Sequence, residues 1–216
     1  MRALSISLLL FASSASAQSL PSVDCGAVKN STVPFELAYH SQNGTRTVVQ
    51  AYRDKSGVYS AWSRQTPPSN HPNPPVFVVK ATYVDGAIAS AELWTPYVGK
   101  YSHRTAKYTT DRFPKHFDHR SDVNYKIQTA STAADGATEE KTTTISYKFK
   151  SAGTIGVGDC EIQIIHGEID ATNDADRTHH IFQLYFPELQ VSATAADAEP
   201  IVDSLYTVFA EIKPPN

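Results

Sequence analysis

The length, composition and charge of the chain are those of an ordinary globular protein. Its 216 residues are 41% hydrophobic and 19% charged, a balance that excludes a disordered or fibrous chain. The formal net charge of −3 argues against wholesale nucleic-acid binding, so we expect no nucleic-acid partner.

The N-terminal segment has the three parts of a secretory signal peptide. Arg2 supplies the positive start, residues 4–11 are mostly apolar, and Ala15-Ser16-Ala17 matches a small-residue cleavage site. The apolar stretch is shorter than the ~20 residues that a membrane-spanning helix needs, so we expect no integral membrane segment. We predict that residues 1–17 are a signal peptide and that residues 18–216 form a single β-rich domain, periplasmic or secreted.

The chain has two cysteines, Cys25 and Cys160. Two cysteines in an oxidising compartment most often pair, so we predict a disulfide between them that closes a long loop. The alternative is a pair of buried free thiols.

The first third of the chain alternates polar and apolar residues with the period of two that is typical of β-strands. Residues 35–40, 45–53 and 58–64 predict a three-stranded meander, in which Asn43-Gly44 forms a two-residue turn and Val48 lies opposite Tyr39. The segment 67–75 holds five prolines, which predicts a surface loop.

Later segments predict further strand pairs. These are 76–83 with 87–94 around Asp85-Gly86, 125–129 with 142–150, and 160–169 with 178–186.

The last segment has the apolar spacing of a helix. Its stripe begins at Ile201, Val202 and Leu205, with Asp197 as the N-cap, and the helix ends before Pro214. The sequence therefore predicts a mainly β (α+β) fold: a curved antiparallel sheet or half-barrel of about ten strands, with one C-terminal helix packed on it.

Several segments carry a resemblance to other proteins. The runs 147–153, Gly158-Asp159-Cys160 and 185–189, with Arg177, resemble uncharacterised bacterial periplasmic proteins with curved half-barrel β sheets. The resemblance covers about a quarter of the chain and contains no catalytic signature. The resemblance implies that the concave face of the sheet carries or senses apolar ligands.

The most informative stretch is 94–120, which interleaves aromatic and basic residues. It holds six basic residues against Asp111 and Asp118, a local excess that can attract an anionic partner. Aromatic faces beside guanidinium groups suit sugars and phosphorylated lipids, whereas the alternative is a loop pinned by its own aromatics. The predicted ligand-binding residues are Trp94, Tyr97, Tyr101, Arg104, Arg112 and Arg120.

Histidines form two further groups. A symmetric turn about Asn173 would put His166 directly opposite His180, where the pair would line a pocket mouth or sense pH; the alternative is two satisfied edge histidines. His116 and His119 have a zinc-like spacing but lack a fixed third ligand, so we expect neither a metal site nor a cofactor.

These features favour an exported, non-enzymatic binding or carrier protein. Its ligand would be an amphipathic or anionic envelope molecule, such as a lipid or a glycan. The sequence has no G-x-S-x-G or H-E-x-x-H motif, and we assign no catalytic residues. The alternatives are a structural protein that contacts another envelope protein without a small ligand and, third, an enzyme acting on envelope glycans.

Overall fold

The fold is almost entirely antiparallel β-sheet. The structure, a computed structural model, describes residues 25–29, 34–53, 59–68, 77–84, 87–97, 100–110, 120–157 and 160–207. These residues form one short helix and twelve strands: α1 (Cys25–Lys29), β1 (Phe35–His40), β2 (Arg46–Arg53), β3 (Tyr59–Thr66), β4 (Phe77–Val84), β5 (Ala87–Tyr97), β6 (Lys100–Thr110), β7 (Val123–Ala133), β8 (Thr138–Val157), β9 (Cys160–Asn173), β10 (Thr178–Phe186), β11 (Val191–Ala195) and β12 (Ile201–Thr207).

All twelve strands belong to one nearly closed, barrel-like sheet. Each strand from β1 to β11 pairs with its neighbours in the chain, and β12 returns to pair with the free side of β1. The expected β fold is confirmed in class, and the predicted count of about ten strands is too low.

The predicted C-terminal helix is wrong where the chain is described, because β12 occupies its first two turns. Leu205 lies opposite Leu37, and Val202 lies opposite Tyr39. Asp197, expected as a helix cap, instead accepts a hydrogen bond from the backbone N–H of Asn43 at 2.7 Å. Pairing with β1 therefore overrides the helical spacing. The predicted continuation to Pro214 lies outside the described residues.

Three hairpins share the same three-residue loop. In the first, the N–H of Ser41 donates to Thr45 O and the N–H of Gly44 donates to Ser41 O. Gly44 has a φ of 83°, the left-handed conformation that such a loop requires at this position. The same backbone bonds recur in 133–137 with Gly136 and in 173–177 with Asp176, whose φ values are 87° and 55°.

These loops shift the register from the predicted one. Thr47, not Val48, lies opposite Tyr39, because the first loop contains one residue more than the predicted turn. The β1–β2–β3 meander itself is confirmed, as is the pairing of β4 with β5 around Asp85-Gly86.

Cross-strand register divides the side chains between two faces, because directly paired residues share a face. We call the face that carries Phe35 the inner face and the opposite one the outer face. A row of small, buried inner-face residues crosses five adjacent strands: Ala51, Ala61, Ala81, Ala91 and Ala106. Small side chains leave room on the inside of a strongly curved sheet.

The main core forms where the two ends of the sheet overlap. Phe35 and Leu37 on the inner face of β1 belong to the same buried cluster as Ile162 and Leu184, which register places on the outer face of β9 and β10. Each fully buried side chain of this kind stabilises the fold by about 1.5–3 kcal/mol. A register shift in β8 between Phe149 and Ser151 marks the point where this overlap begins.

The predicted disulfide is confirmed and ties α1 to this core. Cys25 and Cys160 are bonded with a Cα–Cα distance of 5.6 Å. Lys29 at the end of α1 also forms an ion pair with Glu188 at 3.3 Å. The short helix is therefore held against the strands near the overlap.

Candidate functional site

The inner face of β6–β8 begins with a charged rim. Glu139 accepts a hydrogen bond from Arg104 at 3.1 Å, and its other oxygen lies 2.9 Å from Lys141 Nζ. The hydrogen bond from Lys141, followed by that from Arg104, holds the pKa of Glu139 below its ordinary value of 4.5. Two exposed cations thus share one carboxylate at this rim.

The same face becomes apolar along β7. Its inward residues change from Ala133, Ser131 and Thr129 near the rim to Ile127, Tyr125 and Val123 at the other end. These last three are only half-buried, whereas their outward neighbours are exposed. In β1, by contrast, the inward Phe35, Leu37 and Tyr39 are all fully buried. The inner face of β7 is therefore apolar without being sealed into the core.

Two tyrosines lie in surroundings of low polarity on the inner face of β6 and β7, which we call the strip. Tyr108 lies opposite Thr129, and Tyr125 lies opposite Ile145. Burial raises the pKa of both hydroxyls above the ordinary value of 10.0, because a phenolate would lose water on this surface.

At its apolar end the strip borders two tightly packed residues, Tyr147 and Gly167. Tyr147, which is 2% exposed, lies opposite Val123 and places its ring directly over Gly167 of β9. Any side chain larger than glycine at position 167 would meet that ring. Close packing of Tyr147 against Gly167 therefore holds this end of the strip in place.

The outer face of β3–β6 carries a separate aromatic stack. Trp62 and Trp94 stack with their ring centroids 5.6 Å apart, and Trp94 stacks on His103 at 4.8 Å. Lys80 Nζ lies 5.2 Å from the centroid of the Trp62 ring and 3.7 Å from Glu92. Stacked pairs of this kind contribute about 0.5–1.5 kcal/mol beyond their burial.

Two nitrogens of this stack are buried without a hydrogen bond. Trp62 Nε1 and His103 Nε2 find no hydrogen-bond partner among the described residues. His103 Nε2 still lies in an ion-pair contact, 3.5 Å from Glu92 Oε2, whereas Trp62 Nε1 has no acceptor among the described residues. Leaving a buried polar group unpaired costs about 1–3 kcal/mol, so these atoms are costly unless something binds them.

The structure separates the residues that the sequence grouped as a binding surface. Trp94 lies opposite His103 on the outer face, whereas Arg104, next along β6, lies opposite Leu93 on the inner face. One ligand on one face therefore cannot contact both Trp94 and Arg104. Residues 95–97 of the basic-aromatic stretch complete β5, and residues 100–110 form β6.

The structure describes the other predicted ligand-binding residues only in part. Tyr97 and Tyr101 lie opposite Lys100 and Pro96 in the β5–β6 pair, and their side chains lie outside the described set. Arg120 is exposed just before β7. Arg112 lies outside the described residues.

The predicted His166–His180 pair is wrong, because the turn is centred on Ala175. His166 lies opposite Leu184, and His180 lies opposite Asp170. Each histidine meets a carboxylate instead: His166 bonds Glu199, and His180 Nδ1 lies 2.7 Å from Asp170. The carboxylate contacts fit the alternative of satisfied histidines.

Sequence reasoning missed most of the residues that make up the two surfaces. Trp62, Lys80 and Glu92 occupy ordinary strand positions, and only the order of strands brings them to one face. Tyr125 and Ile127 carried a usable signal in the alternation of β7, which separates inward apolar from outward polar residues.

No group of three or more metal-ligating side chains occurs in the part of the chain that the structure describes, and His116 and His119 lie outside it. None of its described helices is long and apolar enough to cross a membrane.

Comparison with known proteins identifies no relative. No protein-family model, no curated protein and no solved structure matches this chain.

Proposed function

We propose that this protein is an exported, non-enzymatic carrier that binds an amphipathic ligand along the inner face of β6–β8. The apolar part of the ligand lies on Val123, Tyr125 and Ile127. Its anionic head lies at the rim, where Arg104 and Lys141 supply positive charge.

The observation that carries this proposal is the gradient along one strand face. From Ala133 to Tyr125 the inner face of β7 runs about 27 Å at 3.4 Å per residue, which matches an extended lipid-like chain. Charge lies at one end of this distance and half-buried apolar groups lie at the other. An apolar surface with a few polar groups at its edge is typical of small-ligand sites.

The rim supports head-group binding because its ion pairs are weak. The side chains of Arg104 and Glu139 are each 46% exposed, and exposed ion pairs contribute only about 0–1 kcal/mol. An incoming carboxylate or phosphate can therefore compete with Glu139 for the two cations at little cost.

Export is part of the proposal and is supported by two features. Residues 1–17 have the pattern of a signal peptide. The Cys25–Cys160 disulfide suits an oxidising compartment such as the periplasm or the cell exterior.

The head-group test uses cis-parinaric acid, a naturally fluorescent fatty acid, and variants at exposed positions. We expect Arg104→Gln/Lys141→Gln to weaken binding about tenfold and to flatten its salt dependence, because two charge contacts are lost. The matched control is Lys107→Gln/Lys126→Gln, which removes the same charge from the outer face of β6 and β7. Equal loss in both double variants would refute the rim as the head-group site.

The apolar test compares neighbouring residues on β7. Ile127→Asp should weaken binding of the same fatty acid by tenfold or more, on the order of the ~1.5–3 kcal/mol gained by burying such a side chain. Gln128→Asp, which changes the exposed neighbour, should leave binding unchanged. If the unmodified protein binds no fatty acid, the carrier proposal fails and the role in protein contact gains support.

A further inference from the structure

The outer face of β2–β6 concentrates positive charge around the aromatic stack of Trp62, Trp94 and His103. Among its described side chains the only carboxylate is Glu92. The four cations on this face are Arg46, Arg64, Lys80 and Lys107. This excess contrasts with the net charge of −3 of the whole chain. The face therefore attracts anions although the protein as a whole does not.

The stack contains a buried hydrogen-bond donor without an acceptor, and the faces of its central ring are covered. Trp94 is covered on both sides, by Trp62 on one and by His103 on the other. Trp62 is only 6% exposed, yet its Nε1–H finds no acceptor among the described residues. An indole N–H can only donate, so whatever completes this site must supply an acceptor.

His103 lies on the other side of the stack and differs from Trp62. Its Nε2 is also buried and makes no hydrogen bond, but it lies next to a carboxylate of the protein. Glu92, the nearest carboxylate, is 3.5 Å away and is also in contact with Lys80 at 3.7 Å. Glu92 therefore contacts His103 and Lys80 and leaves the Trp62 Nε1–H without an acceptor.

We propose that the Trp62–Trp94–His103 stack, flanked by Lys80 and Arg64, is a binding site for an oxyanion group such as a sulfate, phosphate or carboxylate. An oxygen of that group accepts a hydrogen bond from Trp62 Nε1–H, and the two cations supply the charge that balances the anion. Arg64 is exposed two residues from Trp62 on the same strand face, and it adds charge beside Lys80. The site is independent of the carrier proposal because it lies on the opposite face of the sheet.

Tryptophan fluorescence reports ligand binding at the stack, because the chain contains two tryptophans and both belong to the stack. Tryptophan emission is followed while inorganic sulfate, dextran sulfate or neutral dextran is added at constant ionic strength. We expect a saturable change with dextran sulfate. A change with inorganic sulfate as well would identify a small free oxyanion as sufficient, and a change with the polymer alone would identify an anionic chain. A response to neutral dextran equal to that of dextran sulfate would overturn the oxyanion assignment.

The decisive variant is Trp62→Phe, which keeps an aromatic ring and removes the unpaired N–H. We expect the affinity for dextran sulfate to fall at least about tenfold, the effect of losing a hydrogen bond to a charged group. Trp94→Phe keeps Trp62 and its N–H as the reporter and should retain more of the affinity than Trp62→Phe does. Equal affinity of the unmodified protein and Trp62→Phe would refute the proposal.

Variants of the two flanking cations keep the test valid if Trp62→Phe fails to fold. Lys80→Gln and Arg64→Gln should each weaken binding several-fold and reduce its salt dependence, whereas Lys148→Gln on the outer face of β8 should not. Fatty-acid binding to the inner face should be unchanged in all these variants. No loss of affinity in Lys80→Gln and Arg64→Gln would overturn the assignment of the site.

Discussion

Replacing Gly167 with alanine should destabilise the fold, because the added methyl group collides with the Tyr147 ring. A methyl group at position 167 would collide with Cε2 of Tyr147 and lie only 2.5 Å from Oη and 2.6 Å from Cζ of that ring. Favourable carbon–carbon contacts are about 3.5–4.0 Å, so the ring must move by more than about 1 Å. Tyr147 is 2% exposed and paired between β7 and β9, which leaves it little room to do so.

The net effect follows from two opposing terms. Overpacking a well-packed interior costs about 1–3 kcal/mol, whereas replacing a strand glycine by alanine normally gains about 0.5–1 kcal/mol. The variant should therefore lose up to about 2.5 kcal/mol, equivalent to a melting temperature up to roughly 10 °C lower for a chain of this size.

Circular dichroism during heating and in urea measures this loss. The matched control is Gly156→Ala in β8, where an added Cβ meets nothing within 4 Å, so its stability should be unchanged or slightly increased. In a Tyr147→Leu background the cost of Gly167→Ala should shrink, since the clashing ring is gone. If the melting temperature of Gly167→Ala equals or exceeds that of Gly156→Ala, the close packing of Tyr147 against Gly167 is refuted.

Two further predictions concern the disulfide and one carboxylate. Replacing Cys25 and Cys160 by serine should lower the free energy of unfolding by up to about 5 kcal/mol in urea, because the bridge spans 135 residues; a change below about 1 kcal/mol would contradict this. His180, followed by Lys148, holds the pKa of Asp170 below its ordinary 3.8, so this carboxyl stabilises the fold above that pH and less as the pH falls through its folded value. The stability lost in Asp170→Asn should therefore be larger at about pH 5 than at about pH 2, and an equal loss at both would contradict the contact.

The predicted turns show how far local sequence reaches. Asn43-Gly44 was placed correctly as the end of a hairpin, and Gly44 adopts the positive φ that only a few residue types tolerate. This dipeptide does not decide whether the loop holds two or three residues. The third loop residue shifts the register by one, so that Thr47 and not Val48 lies opposite Tyr39.

The two candidate surfaces depended even more on tertiary structure. Trp94 and Arg104 are close in sequence and share the basic-aromatic stretch, but the alternation of β5 and β6 puts them on opposite faces. Trp62 joins Trp94 from another strand pair, and Lys141 joins Arg104 through Glu139, so neither partnership has a local signal.

The sequence by itself determined the antiparallel β class, the disulfide and the position of most hairpins, because these follow from side-chain alternation, cysteine count and turn residues. Only the tertiary structure decided that Ile201, Val202 and Leu205 form a strand, since the open edge of β1 offers them backbone hydrogen bonds that helical spacing cannot reveal. It also decided which charges and aromatics share a face, because a shift of one residue exchanges the two sides of a strand.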